Sequence, residues 1–252
     1  MNVREALMAT HDFWRPKNYA LKKYLINDGK KHPFALVIPG GGYHMVCSFL
    51  EGDPIARELN KRGICAFVLY YRCKKKARYP APMEDAQRAL REILDNAEKY
   101  GIRQTGYSVW GFSAGGHLAS TVALTGAWLN PAPSALILGY PVITMGEKTH
   151  PGSREALLGE NPSKEDVEKA SVELNVRHGT PPTFVWYGTP DKVVDSQNSE
   201  SLAKALEDNG VKCLKRVYQG VPHGVGLGKK TNAEGWILEA LEFWESCESG
   251  IS

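Results

Sequence analysis

The sequence predicts an α/β fold on a doubly wound, mostly parallel sheet, and three observations predict it. Continuous apolar runs such as Phe34-Ala35-Leu36-Val37-Ile38 and Thr183-Phe184-Val185-Trp186-Tyr187 have the length and content of strands buried on both faces. Between such runs lie amphipathic helical segments, clearest over 83–100, where Ala86, Ala89, Leu90, Ile93, Leu94 and Ala97 share one face. The two patterns alternate along the chain, and alternating strands and helices build parallel sheets.

Taken in order, 18–25 reads as an early, rather polar strand closed by the turn Asn27-Asp28-Gly29-Lys30. The strand 34–38 ends at Pro39-Gly40-Gly41-Gly42-Tyr43. A helix is expected over 52–62, with Ile55, Ala56 and Leu59 on one face and Gly63 as its stop, followed by a buried strand over 64–71. Pro80 and Pro82 mark the entry of the helix over 83–100. A further strand runs into Gly111-Phe112-Ser113-Ala114-Gly115 and passes at once into a helix ending near Gly126. The strand over 134–140 is broken by Pro141, and 142–182 then reads as an insert with short helical pieces at 154–158 and 164–170. After the strand 183–187 come a helix over 197–209 capped by Gly210, a strand over 212–218, and a closing helix over 231–248. That last helix places Trp236, Ile237, Ala240, Phe243 and Trp244 on one face.

Composition bounds the function. At 252 residues the expectation is a single domain over 1–252, with 142–182 as a cap or insert. Apolar content of 42%, charged content of 23% and a net charge of +3 are those of an ordinary globular protein. The basic run 72–78 is short and lacks interleaved aromatics, so it reads as a solvated loop and argues against nucleic acid. No apolar stretch reaches the roughly 20 residues of a membrane span. Residues 1–15 carry early charges and no apolar core, so no secretory signal is read there. Cys47, Cys65, Cys73, Cys213 and Cys247 show neither metal-ligand spacing nor an even disulfide set. The expectations are a cytoplasmic protein with no metal or cofactor, acting on a small molecule, with a homo-oligomer left open.

The chemistry-bearing residues sit where strands end. In an open parallel sheet, ligands bind beyond the carboxyl ends of the strands. One such end carries three consecutive glycines, which give no packing and suit close approach of backbone N–H groups to a ligand. A second carries Gly-x-Ser-x-Gly in a strand-turn-helix context, the arrangement that lifts a serine hydroxyl clear of its backbone. A third carries Gly188-Thr189-Pro190-Asp191-Lys192-Val193-Val194-Asp195, and a fourth Gly220-Val221-Pro222-His223-Gly224. A serine needs a nearby base to take its proton and an acid to orient that base. Ser113, Asp191 and His223 occur in the order serine, acid, histidine. Among the histidines, only His223 follows a predicted strand end. His44, after the glycine loop, is the alternative, and His117, one turn beyond Ser113, is expected to pack inside. Asp195 competes with Asp191 but is placed to cap the helix beginning near Ser196.

These residues together resemble the α/β-hydrolase superfamily, in particular the acetyl-xylan-esterase-like and hormone-sensitive-lipase-like carboxylesterases, over about 34–244. The family's His-Gly-Gly-Gly loop corresponds to Pro39-Gly40-Gly41-Gly42, its elbow to Gly111–Gly115, its acid loop to Asp191 and its histidine loop to His223-Gly224. The small-residue run Gly224-Val225-Gly226-Leu227-Gly228 also fits. Two departures stand out: proline replaces the leading histidine of the glycine loop, and Pro190 occupies a place where relatives often carry a second aspartate. The resemblance implies a serine ester hydrolase with oxyanion donors on the backbone of Gly41, Gly42 and Ala114, acting on short acyl groups, acetyl in particular, of carbohydrates. By position Tyr43 would border the acyl group, with Met45 and Cys47 near it, and the stretch from His150 to Arg154 could meet the leaving alcohol. A serine peptidase or amidase would use the same groups on the same fold. A hydrolase-fold binding protein is the third reading, disfavoured because all three side-chain types are present.

Overall fold

The computed structural model describes residues 13–14, 19–124 and 130–248. Among them, eight strands form one sheet: β1 (Phe13–Trp14), β2 (Ala20–Tyr24), β3 (Phe34–Ile38), β4 (Cys65–Tyr70), β5 (Ser108–Phe112), β6 (Ala135–Gly139), β7 (Thr183–Thr189) and β8 (Cys213–Gln219). Their spatial order is β1-β2-β4-β3-β5-β6-β7-β8. From β4 across to β8 every pairing is parallel, whereas β2 runs antiparallel to β4 and β1 antiparallel to β2. The link from Tyr24 to Phe34 carries no helix that would bring the chain back along the sheet, so β2 runs opposite to β3 and is therefore antiparallel to β4, which is parallel to β3.

The helices are α1 (Ser48–Glu51), α2 (Asp53–Asn60), α3 (Ala81–Asp95), α4 (Ala97–Tyr100), α5 (Ala114–Leu124), α6 (Pro151–Leu158), α7 (Lys164–Ala170), α8 (Gln197–Asp208) and α9 (Trp236–Glu248). They cover both faces of the sheet, which is why its central strands are apolar without alternation. One core joins Leu36, Val109, Leu136 and Val185 to Ala86, Leu90 and Ile93 of α3, Leu118 of α5 and Leu202 of α8. The other joins Val37, Val68, Trp110, Ile137 and Trp186 to Ile55 and Leu59 of α2 and Trp236 and Phe243 of α9. Successive strand residues thus feed opposite cores, as the two-residue period of a strand requires. β8 is the exception. At the sheet edge its residues alternate between half-buried and exposed, with Lys215 and Arg216 paired to Glu200 and Glu239.

Several sequence expectations shift. The helix expected over 83–100 begins at Ala81 with Pro82 in its first turn, and it divides at Asn96 into α3 and α4. The closing helix starts at Trp236 because Thr231 to Gly235 form turns, with Gly235 at φ 93°. The short helix α1 has no counterpart in the sequence pattern. The expected helix end near Gly126 and strand start at 18 lie outside the described residues. The basic run 72–78 is not simply a solvated loop: only Lys74, Lys75 and Lys76 form an exposed turn. The Arg72 guanidinium pairs with fully buried Asp85 at 2.9 Å, and Arg78 donates to the Ala156 carbonyl at 2.7 Å, tying the run to α6. No described helix is long and apolar enough to cross a membrane.

The sheet order positions the site. β3 lies between β4 and β5, so the chain winds to one side after β3 and to the other after β5. The loops leaving these two strands part from each other and open a crevice at their carboxyl ends.

Candidate active site

Ser113 stands at the turn from β5 into α5 with φ 51°, a conformation that costs a non-glycine residue roughly 1–3 kcal/mol. Two close approaches hold it there. The Ser113 N–H donates to the Gly139 carbonyl at the end of β6 (3.1 Å), and its own carbonyl accepts from Val142 N–H (3.0 Å). Gly115 lets α5 lie directly against β3: a Cβ on it would come within 2.2 Å of the Ile38 carbonyl oxygen and 2.4 Å of that of Pro39. No side chain fits that space.

His223 lies on the loop after β8, beyond the edge of the sheet from Ser113, and bends back to it. Its Nδ1 is 2.7 Å from Asp191 Oδ2 and its Nε2 is 2.9 Å from Ser113 Oγ. An ionised carboxylate only accepts, so Nδ1 carries the proton, Nε2 is bare, and the Ser113 hydroxyl donates to it. The second oxygen of Asp191 accepts the N–H groups of Val193 (2.8 Å) and Val194 (3.0 Å). Burial alone would raise the Asp191 pKa. The His223 hydrogen bond and charge and the two backbone donors outweigh it and hold the carboxyl below the usual aspartate range. Asp195 takes no part: it accepts the Gln197 N–H at the start of α8 (2.9 Å) and faces Lys148.

The glycine loop lies on the other side of the serine. A Cβ at Gly40 would come within 2.7 Å of Ser113 Cβ, so the loop touches the nucleophile candidate directly. Gly41 at φ 122° turns the backbone in a region closed to other residues. Among the described residues, the N–H groups of Gly41, Gly42 and Ala114 are given to no protein acceptor. Ala114 begins α5, where first-turn donors have no helical partner.

Tyr43 departs from its expected place. Its backbone turns at φ 62°, its side chain is only 1% exposed, and its hydroxyl donates to His117 Nδ1 at 2.7 Å. The ring therefore packs in the core instead of bordering an acyl group. His117 gives its other nitrogen to the Ala170 carbonyl (2.7 Å), and complete burial pushes its pKa down to about 4. Met45 is half exposed, and partly buried Cys47 gives its N–H to the Gly40 carbonyl (2.9 Å).

His44 and His150 rim the loop, their Cδ2 and Cε1 atoms 3.5 and 3.8 Å from where a Gly42 Cβ would be. His150 caps α6, its Nδ1 accepting the Ser153 N–H (3.2 Å), so the proton sits on Nε2. Burial, then the charges of His223 and His44, lower its pKa and keep it a neutral donor.

Two site residues escaped the sequence reading. Glu51, at the end of α1, is 3% exposed and accepts the Gly40 N–H (2.7 Å) and the Tyr140 hydroxyl (3.0 Å). Tyr140, just past β6, is also fully buried and sets its ring 4.7 Å from that of His223. Pro39, in place of the histidine that the family resemblance implies, offers the glycine loop no side-chain bond, and a side-chain bond this loop does have is Gly40 N–H to Glu51.

Residues 36–227 match the family model described as alpha/beta hydrolase fold. The chain belongs to that family. The chain is 38% identical over 226 residues to endo-1,4-beta-xylanase B of Butyrivibrio fibrisolvens, a match covering 84% of this chain and 35% of that protein. It is 32% identical over 212 residues to an acetylxylan esterase of Xylanibacter ruminicola, covering 82% of this chain and 44% of the other. The chain therefore spans less than half the length of these relatives. Among solved structures, the acetyl ester-xyloside bifunctional hydrolase of Caldicellulosiruptor lactoaceticus superposes with a TM-score of 0.80 at 36% identity, covering 93% of this chain and 88% of that one. This α/β-hydrolase-fold chain is thus similar in both fold and sequence to ester hydrolases.

Proposed function

We propose that the protein is a serine carboxylesterase that removes short acyl groups, acetyl in particular, from carbohydrate esters. The observation that carries the reading is the unbroken chain of hydrogen bonds from Ser113 Oγ through His223 to Asp191, with the protons placed as a general base needs them. Similarity to an acetylxylan esterase and to an acetyl ester-xyloside hydrolase supports the acyl group and the sugar.

In this mechanism Ser113 Oγ bonds to the ester carbonyl carbon while its proton passes to His223 Nε2. The electron pair displaced onto the carbonyl oxygen is met by the free N–H groups of Gly41, Gly42 and Ala114. Collapse breaks the bond to the alcohol, which leaves with the proton from His223, and the acyl group stays on Ser113. Water then attacks the acyl carbon, gives its proton to His223, and the second collapse releases the carboxylic acid and returns the proton to Ser113. Asp191 keeps Nδ1 protonated and offsets the charge on the imidazolium throughout. His150 Nε2–H, at the rim of the glycine loop, donates to an oxygen of the leaving sugar.

Ser113→Ala should abolish hydrolysis of p-nitrophenyl acetate while the circular dichroism spectrum stays native; full retained turnover would overturn the reading. A fluorophosphonate should label Ser113. Acetyl esters should outrun octanoyl esters, and acetylated xylo-oligosaccharides should outrun the matching amides. The reverse ranking in either pair would replace the substrate class.

A further inference from the structure

We infer that Glu51 and Tyr140 form a positioning pair that locks the glycine loop to the histidine loop and sets a second negative charge beside His223, an inference resting on the esterase reading above. The bonds form one line across the site. Gly40 N–H donates to Glu51 Oε2 (2.7 Å), Tyr140 O–H donates to Glu51 Oε1 (3.0 Å), and Gly226 N–H donates to the Tyr140 oxygen (3.0 Å). Gly40 neighbours the proposed oxyanion donors, and Gly226 follows His223 on the same loop. Between these ends, the Tyr140 ring lies against the His223 ring at 60° and against Trp186 at 87°. Two loops that sequence separates widely are thus joined through one carboxylate and one phenol.

The donor pattern fits an ionised acid. Each Glu51 oxygen already receives a proton donor, and the Tyr140 oxygen, occupied by Gly226 N–H, has its own proton to give. Among the described residues no lysine or arginine pairs with Glu51. A buried carboxylate without a cation is expensive unless it is well bonded. Burial raises its pKa, and Gly40, Tyr140 and the charge of His223 pull it back only in part. The positive charge that reaches this carboxylate is that of His223, from the far side of the Tyr140 ring. Around His223 stand Asp191, Ser113 and Tyr140, with Glu51 behind the Tyr140 hydroxyl and neutral His150 across the crevice; around Glu51 stand Gly40, Tyr140, Cys47 and Tyr71. Glu51 does not touch the substrate, so its part is to hold and to bias, not to react.

The experiment compares wild type, Glu51→Gln and Tyr140→Phe, with kcat counted per site titrated by a fluorophosphonate to end point. Glu51→Gln keeps the shape but removes the charge and sets an amide N–H against a donor. Its kcat should fall about 10- to 100-fold, below the loss for a deleted oxyanion donor, with KM changing less than about 3-fold. Removing a negative charge from the site disfavours positive charge there, so the acid limb of kcat/KM should move to lower pH. Tyr140→Phe keeps the charge and cuts both bonds, so its kcat should fall while the acid limb moves less. Thermal unfolding of each variant separates loss of fold from loss of rate. Wild-type kcat per titrated site and an unmoved acid limb in Glu51→Gln would overturn the inference, even if the variant melts earlier. If Ser113→Ala kept its activity, the esterase reading would fail first; if Ser113→Ala is dead and Glu51→Gln is not impaired, only the positioning pair fails.

Discussion

Two histidines flank the serine elbow, and the same ring does opposite things in them. His117 sits on α5 one turn beyond Ser113, only 1% exposed, with Tyr43 donating to one nitrogen and Ala170 accepting from the other. His223 reaches in from a loop, its side chain 11% exposed, with a carboxylate on Nδ1 and only a hydroxyl on Nε2. Burial in a neutral pocket makes His117 unable to take a proton near neutrality. His223 instead has a carboxylate behind it, which fixes its tautomer and can offset a charge on the ring. Chemistry at this elbow therefore depends on what stands behind the imidazole more than on its closeness to the serine.

The sharpest way to break that contrast is to give His223 a neutral partner. Asp191→Asn keeps the two backbone donors' acceptor but removes the charge and lets the imidazole settle with its proton on Nε2, where it blocks the serine. Turnover of p-nitrophenyl acetate should fall by about 10⁴-fold with KM little changed. A fall of less than about 10-fold, with the fold intact, would mean that Asp191 does not orient the base. His150 tests the comparison more gently, because it is a neutral histidine that still faces the crevice. His150→Ala should lower the ratio of kcat/KM for an acetylated xylo-oligosaccharide to that for p-nitrophenyl acetate by about 10-fold, the worth of one hydrogen bond. An unchanged ratio would remove it from the leaving-group side.

Much of this site was legible because its parts announce themselves locally. Ser113, Asp191 and His223 each follow an apolar run in a glycine-bearing loop, so strand ends and loop chemistry pointed to them without knowledge of contacts. Tyr43 was misplaced because position along the chain locates a backbone and not a side chain; its positive φ turns the ring inward to His117. Glu51 and Tyr140 could not be read at all, since their bond spans 89 residues and neither carries a local motif. Arg72 failed likewise, its buried partner Asp85 lying on the next helix. The fold divides in the same way. Most strands and helices followed from periodicity, the four-residue α1 excepted, whereas the antiparallel entry of β2 and the break at Asn96 depend on linkage length and packing against neighbours that periodicity does not record.

The smallest effect on activity, and the cleanest on stability, should come from His117. Its pKa is pushed down to about 4 in the folded protein, against an ordinary value near 6.5 in the unfolded chain. Between these values the unfolded chain binds a proton that the native state refuses, so folding stability rises with pH across this window and is fully present above it. Falling from pH 7.5 toward 4 should therefore cost roughly 3 kcal/mol from this one group. His117→Gln keeps a donor and an acceptor in place of the ring and has no proton to gain. It should unfold in less urea than wild type at pH 7.5, yet lose less further stability on acidification to pH 5. Because the substitution leaves His223 and Asp191 untouched, kcat should stay within about 3-fold of wild type. Parallel pH profiles of stability for the two proteins would show that His117 does not carry this part of the acid sensitivity, and a collapse of kcat would show that the inner histidine is not the inert member of the pair.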